Sequence, residues 1–307
     1  MLLKKILLMG LTVGLATTLL AACGNEKGTS SKGTGSEMPD KITIVQMPDE
    51  NNPDAGTKND AFREAMETTL GIEVEELEGA EYSVGLEALK AGKLDILLVS
   101  PMSYYQAKKM ADVDPLVTTK TMGADPYKTV FVTQKSRTDI NSLEDLKEKT
   151  FAFVDPASSS GYMYPKAKLL DALKLDTEQL ENPGYFFKTT VFSGKHDTSL
   201  MGVAKGDYDA AAVAFQTINM MDKAGLINKD EIKIIDETAE IPNALYVIRQ
   251  DLPQELKDKI KDFYLQYADE VYFQTFYQDS ATRFIEAKDA DYAEVEKMVK
   301  ILKIEEE

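Results

Sequence analysis

Residues 72–99 read IEVEELEGAEYSVGLEALKAGKLDILLV, and this stretch decides the fold class. Residues 72–77 make a run of strand length, 82–91 a helical pattern, and 94–99 a second apolar run of strand length. Upstream, 42–45 reads as a first strand and about 59–70 as a helix. The resulting βαβαβ order predicts a parallel, doubly wound sheet.

A second series starts with a strand at 129–134. Its further strands are placed at 151–154, 189–192, 208–213 and 232–235, with helices starting near Ser142, Gly161, Asp197 and Gln216. After Pro242, residues 244–249 read as a returning strand. Helices follow from Pro253, since proline suits a first helical position. Two α/β blocks with a returning strand imply an α/β chain of two lobes. Lobe one is 38–134 plus 240–307 and lobe two is 135–239, each with a mostly parallel sheet flanked by helices. Ligands bind beyond the carboxyl ends of strands in such sheets, so the cleft between the lobes is the expected site.

The N-terminal residues bear on location. Lys4 and Lys5 precede an uncharged run, 6–20, and Leu20-Ala21-Ala22-Cys23 follows. The run is short for a membrane span and suits a signal peptide, 1–22. Cys23 is the only cysteine in 307 residues. It has no partner for an internal disulfide, and a lipid on its sulfur accounts for it. More than one acyl chain anchors stably where one does not. An ordinary signal peptide or a transmembrane anchor are the alternatives. Residues 23–37, rich in Gly, Ser and Thr, read as a flexible tether. Net charge is −17, and loss of Lys4 and Lys5 with the leader takes it to −19. Nucleic acid is a poor partner for such a chain, and an anionic ligand would need local donors to overcome the global field.

Four polar turns follow predicted strands. Asp155-Pro156-Ala157-Ser158-Ser159-Ser160-Gly161 sets three hydroxyls at a helix start, where backbone N–H groups are free and the helix dipole is positive. Phe192-Ser193-Gly194-Lys195-His196-Asp197 holds the only histidine, a donor as imidazolium or as neutral imidazole. Ser100-Pro101-Met102-Ser103-Tyr104-Tyr105 offers Ser103 and Tyr104 from lobe one, and 46–51 brings Gln46, Asp49 and Glu50 to the cleft rim. Each has a plainer reading, as a helix cap, a packing residue or a solvated loop. Their common place at strand ends of two lobes favours a binding site.

Three longer blocks then stand in order. They are Tyr82-Ser83-Val84 through Gly92-Lys93-Leu94-Asp95-Ile96 with Pro101-x-Ser103-Tyr104; the 155–162 turn; and Ser193-Gly194-x-His196-Asp197 with residues 203–213. Together they resemble the phosphate, phosphite and phosphonate-binding proteins of ABC importers over nearly all of the mature chain. The resemblance implies a type II periplasmic-binding-protein fold and a monomer that takes a small anionic ligand to a permease. It implies Ser158, Ser159, Ser160 and His196 as oxyanion donors, with Tyr104 closing from lobe one. Two departures stand out. Ser100 replaces a more usual glycine, and 214–217, which includes Gln216, is uncharged where aminoalkylphosphonate binders place carboxylates. A buried ammonium without a carboxylate is costly, which favours phosphite, methylphosphonate or a similar compact oxyanion.

Other functions are less well supported by the residues. The chain has no GxSxG, HExxH or P-loop, and His196 would be the sole base for a hydrolase. Ferric capture would draw on Tyr104, Tyr105 and His196, but adjacent tyrosines at a helix start point apart. The same transport role with an organosulfonate, phosphate ester or heterocycle as cargo remains a third reading. No cofactor or resident metal is expected.

Overall fold

The run KITIV forms β1 (Lys41–Val45), whose last four residues are buried, as befits a strand covered on both faces. β2 (Glu73–Leu77) and β3 (Ile96–Val99) pair with it in parallel. Alternation along the strands sorts the core. Ile42, Ile44 and Ile96 face α1 (Ala55–Leu70), while Leu97 and Val99 face α2 (Tyr82–Lys90) and α3 (Pro101–Met110). These elements come from a computed structural model that describes residues 38–45, 55–77, 82–122, 126–277 and 279–304. Gln46, Asp49, Glu50, Cys23, the leader and the tether lie outside the described residues.

β4 (Val113–Lys120) follows α3, and the chain then crosses into a second sheet made of β5 (Thr129–Gln134), β6 (Thr150–Phe153), β7 (Thr189–Phe192), β8 (Ala210–Ala214) and β9 (Ile232–Glu237). Its helices are α4 (Tyr164–Leu173), α5 (His196–Lys205) and α6 (Phe215–Lys223). β8, AAAVA, is buried throughout. Its small side chains leave room for Leu200 and Val203 of α5 on one face and for Phe151 and Phe153 in the core on the other. β10 (Leu245–Arg249) returns to the first sheet. It is followed by α7 (Gln254–Gln266), α8 (Glu270–Tyr277), β11 (Arg283–Glu286) and α9 (Ala293–Leu302).

The sheet orders are β11-β4-β10-β3-β1-β2 and β7-β6-β8-β5-β9. Both are mixed. β1–β3 and β6–β8 run parallel, whereas β10 and β5, the strands next to the crossings, are antiparallel to their neighbours. β5 therefore belongs to the second sheet, not to lobe one as the sequence reading placed it. The first crossing comes one strand earlier, between β4 and β5.

Two further differences have local causes. The helix expected near Ser142 is a single 3-10 turn, Glu144–Leu146, because the Asp145 carboxylate accepts from the Asn141 and Ser142 N–H groups (2.9 and 3.1 Å) and closes a tight turn. The C-terminal segment keeps β10, α7, α8 and β11 on lobe one, but its last helix also reaches lobe two. Val295, Val299 and Leu302 of α9 share a core with Met102 from α3 and with Met163 and Tyr164 from the start of α4. Thr177 also donates to the Leu302 carbonyl (2.7 Å), and Lys303 pairs with Glu178 (2.5 Å).

Candidate functional site

The turn after β6 is built to hold hydroxyls at a helix start. Asp155 accepts from the Ala157 N–H (2.7 Å), and the Ser158 hydroxyl accepts from the Gly161 N–H (3.0 Å). Residues Ser159–Met163 then form one wide π-helical turn before α4, a geometry frequent at functional sites. Gly161 lets the turn lie on β6. A Cβ there would overlap the Val154 side chain and come within 2.9 Å of the Ser158 hydroxyl oxygen. Ser158, Ser159 and Ser160 are all fully buried.

His196 is the first residue of α5, beyond the end of β7. The Ala214 N–H donates to its Nδ1 (3.1 Å), so the ring proton sits on Nε2, 3.0 Å from the Ser160 hydroxyl. Burial lowers the ring to about 4, which keeps it neutral. The Tyr127 phenol also donates to Ser160 (2.7 Å), and Thr129 donates to the Ser160 carbonyl (2.7 Å). The Ser160 oxygen thus receives two hydrogen bonds, and neither of them uses its own proton.

Tyr82, at the start of α2 in lobe one, completes the group. It is buried in one cluster with Val154 and Ala157, which brings its phenol near the Ser158 hydroxyl. Burial above all holds its phenol well over the ordinary value, with Tyr127, Asp155 and Asp197 adding to the rise. Burial likewise pushes Tyr127 up to about 12, against the lowering pull of Ser160. Tyr82, Tyr127, Ser158, Ser160 and His196 therefore meet as five neutral groups rich in O–H and N–H donors.

Residues 44–292 match the family model for the periplasmic phosphonate substrate-binding protein of ABC transporters. The chain belongs to that family. It is 29% identical over 302 residues to the phosphate-import protein PhnD of Mycolicibacterium smegmatis, covering 92% of each chain. It is 28% identical over 211 residues to the phosphonates-binding periplasmic protein of Escherichia coli, covering 67% of this chain and 60% of that protein. A solved PhnD1 from Prochlorococcus marinus, in complex with methylphosphonate, superposes with a TM-score of 0.73 at 22% identity, over 86% of this chain and 99% of that one.

In this phosphonate-family binding protein the structure brings together Ser158, Ser160 and His196 of the residues expected from sequence. Gln216 lies nearby, its amide donating to the Pro126 carbonyl (3.3 Å) beside Tyr127. Tyr104 does not join them. Its phenol donates to Asp289, and its ring packs edge-on against Tyr292 at 5.3 Å. Tyr105 turns the other way, under the Lys109 ammonium (4.6 Å). Ser103 donates to the Ala157 carbonyl (2.7 Å), and Ser159 bonds to Ser100 and Met102.

Tyr82 and Tyr127 were missed. Tyr82 had a signal, because it opens a helix after a strand, the same placement that singled out the other turns. Tyr127 lies in the crossing before β5 and carries no motif.

Proposed function

We propose that this substrate-binding protein captures a compact phosphorus oxyanion, a phosphonate, phosphite or similar group, in the cleft and passes it to the permease of its ABC importer. The observation that carries this reading is the Ser160 hydroxyl. Two donors point at its oxygen, so its proton is presented to an external acceptor at the start of a helix. Ser158, Tyr82 and Tyr127 add hydroxyls around it, and the His196 Nε2–H holds Ser160 in this orientation. A dianion can be bound by such neutral donors because each hydrogen bond to a charged group is worth about 1.5–3 kcal/mol.

The role is capture without turnover. A serine nucleophile needs a base to take its proton, and His196 offers Ser160 an N–H while its lone pair at Nδ1 is held by Ala214. Mature protein is held by a lipid on Cys23 at the outer face of the membrane and works as a monomer. Among the described residues no helix is long and apolar enough to cross a membrane.

Isothermal titration tests the ligand class. The purified protein, unfolded and refolded to strip carried-over ligand, is titrated with phosphite, methylphosphonate, 2-aminoethylphosphonate, phosphate and sulfate. Sub-micromolar binding of one phosphorus oxyanion with sulfate silent is the expected result. Absence of heat from every phosphorus compound overturns the assignment. The aminoalkyl compound belongs in the set because Asp155 and Asp197 both act electrostatically on Tyr82 at the site. Palmitate labelling that persists in Cys23→Ala would remove the lipid anchor from the proposal.

A further inference from the structure

The first N–H groups of α3 are not all satisfied by its own lobe. Pro101, at the first helical position, has no N–H. The Ser103 N–H reaches the Ser100 hydroxyl (3.2 Å) and the Tyr104 N–H the Ser100 carbonyl (2.8 Å), an ordinary N-cap. The Met102 N–H donates across the cleft, to the Ser159 hydroxyl at 2.7 Å. Ser159 in turn donates to the Ser100 hydroxyl (3.2 Å), and its own N–H approaches the same oxygen at 3.3 Å. Around this contact the Ser103 and Ser100 hydroxyls both donate to the Ala157 carbonyl (2.7 and 3.1 Å). Every hydroxyl here is fully buried or nearly so.

Proton counting separates Ser159 from its neighbours in the turn. Its single hydroxyl proton is committed to Ser100, and its oxygen takes the Met102 N–H. It therefore has nothing to offer a ligand, unlike Ser160. We propose that Ser159 is a positioning residue that caps α3 from the opposite lobe and latches the closed cleft, while Ser158 and Ser160 face the ligand. Ser100 is the receiving side of that latch, which gives the serine at this position a use that glycine could not serve. Opening the cleft leaves the Met102 N–H without its protein partner, so closure is favoured by completing a helix cap as well as by the ligand. The effect on affinity rests on the cleft-binding reading above; the contact itself does not depend on which ligand is cognate.

The test pairs amide exchange with ligand release in three proteins: wild type, Ser159→Ala and Ser160→Ala. Loss of a cap changes an equilibrium roughly fivefold. In Ser159→Ala, the Met102 amide is expected to exchange about fivefold faster or more, and the oxyanion found by titration to leave faster with its association rate kept. In Ser160→Ala, affinity is expected to fall while Met102 stays protected, which shows that the turn has not simply collapsed. Equal Met102 exchange in wild type and Ser159→Ala, both ligand-free and with phosphite or methylphosphonate present, overturns the latch. Lost affinity in Ser159→Ala with Met102 still protected overturns it too, and makes Ser159 a direct ligand donor. If none of the oxyanions binds, the ligand-free exchange alone decides the latch, and only the ligand assignment has failed.

Discussion

Two serine-bearing turns meet in the cleft, 100–103 in lobe one and 158–160 in lobe two, and their hydroxyls have different roles. Both follow a strand, both open a helix, and all their serines are buried. In the first, the hydroxyls of Ser100 and Ser103 find the Ala157 carbonyl and give their protons to it. In the second, Tyr127 and the His196 Nε2–H both bond to the Ser160 oxygen, which on the proposed reading leaves its proton for a ligand. The difference lies in what each neighbour offers and not in the residue type. A hydroxyl becomes a ligand group when its surroundings satisfy its lone pairs and leave its hydrogen unclaimed.

The comparison can be broken or sharpened in four ways. The largest effect is expected at Gly161, whose Cβ has no room against Val154. Gly161→Ala should cost about 3 kcal/mol of stability in urea unfolding, since the turn must lift off β6. An unaffected midpoint would mean that the turn is looser than the contrast requires. Next, Ser160→Ala should weaken oxyanion binding by about 1.5–3 kcal/mol by calorimetry, the range for a hydrogen bond to a charge.

The tyrosines give a smaller and sharper contrast. Tyr82→Phe should reduce affinity by about 1.5 kcal/mol. Tyr104→Phe should leave affinity unchanged and lower stability by about 1 kcal/mol through the lost bond to Asp289. The reverse pattern would restore Tyr104 to the site. A separate contrast lies in pH dependence. The His196 value is lowered to about 4, below the ordinary 6.5 of an unfolded histidine. Its contribution to stability is therefore complete above about pH 6.5 and is lost as pH falls toward 4, where the unfolded chain takes up a proton that the folded ring resists. The melting temperature of wild type should fall more steeply over that window than that of His196→Gln. Between pH 6 and 8 any change in affinity should follow the titration of the ligand.

Much of this was legible in the sequence, and the misses have physical reasons. β5 falls where its apolar run placed it, because a buried strand needs a continuous run and little else, and β7 keeps its expected bounds as a half-buried edge strand. β4 was not read as a strand, since VDPLVTTK carries Pro115 in its middle. The sheet accommodates it with a register shift opposite Tyr246 and Val247, where the missing N–H does no harm. β11 has only four residues, too few for a pattern. At the site, hydroxyl-rich turns at strand ends were readable, and so was the value of a lone histidine at one of them. The tautomer of His196 was not, because it is fixed by the Ala214 N–H eighteen residues away. Nor was the choice between Tyr82 and Tyr104, which depends on where Asp289 falls when the C-terminal segment folds back.

α9 is seated on both lobes at once, through Val299 and Leu302 in a shared core and through Lys303 with Glu178. A change in the angle between the sheets must therefore shear this helix or peel away its end. The C-terminus is thus a natural strain gauge. A fluorescent domain joined there would read any change in the angle between the lobes without touching the binding residues, which makes this protein a starting point for a sensor with an unmodified binding site.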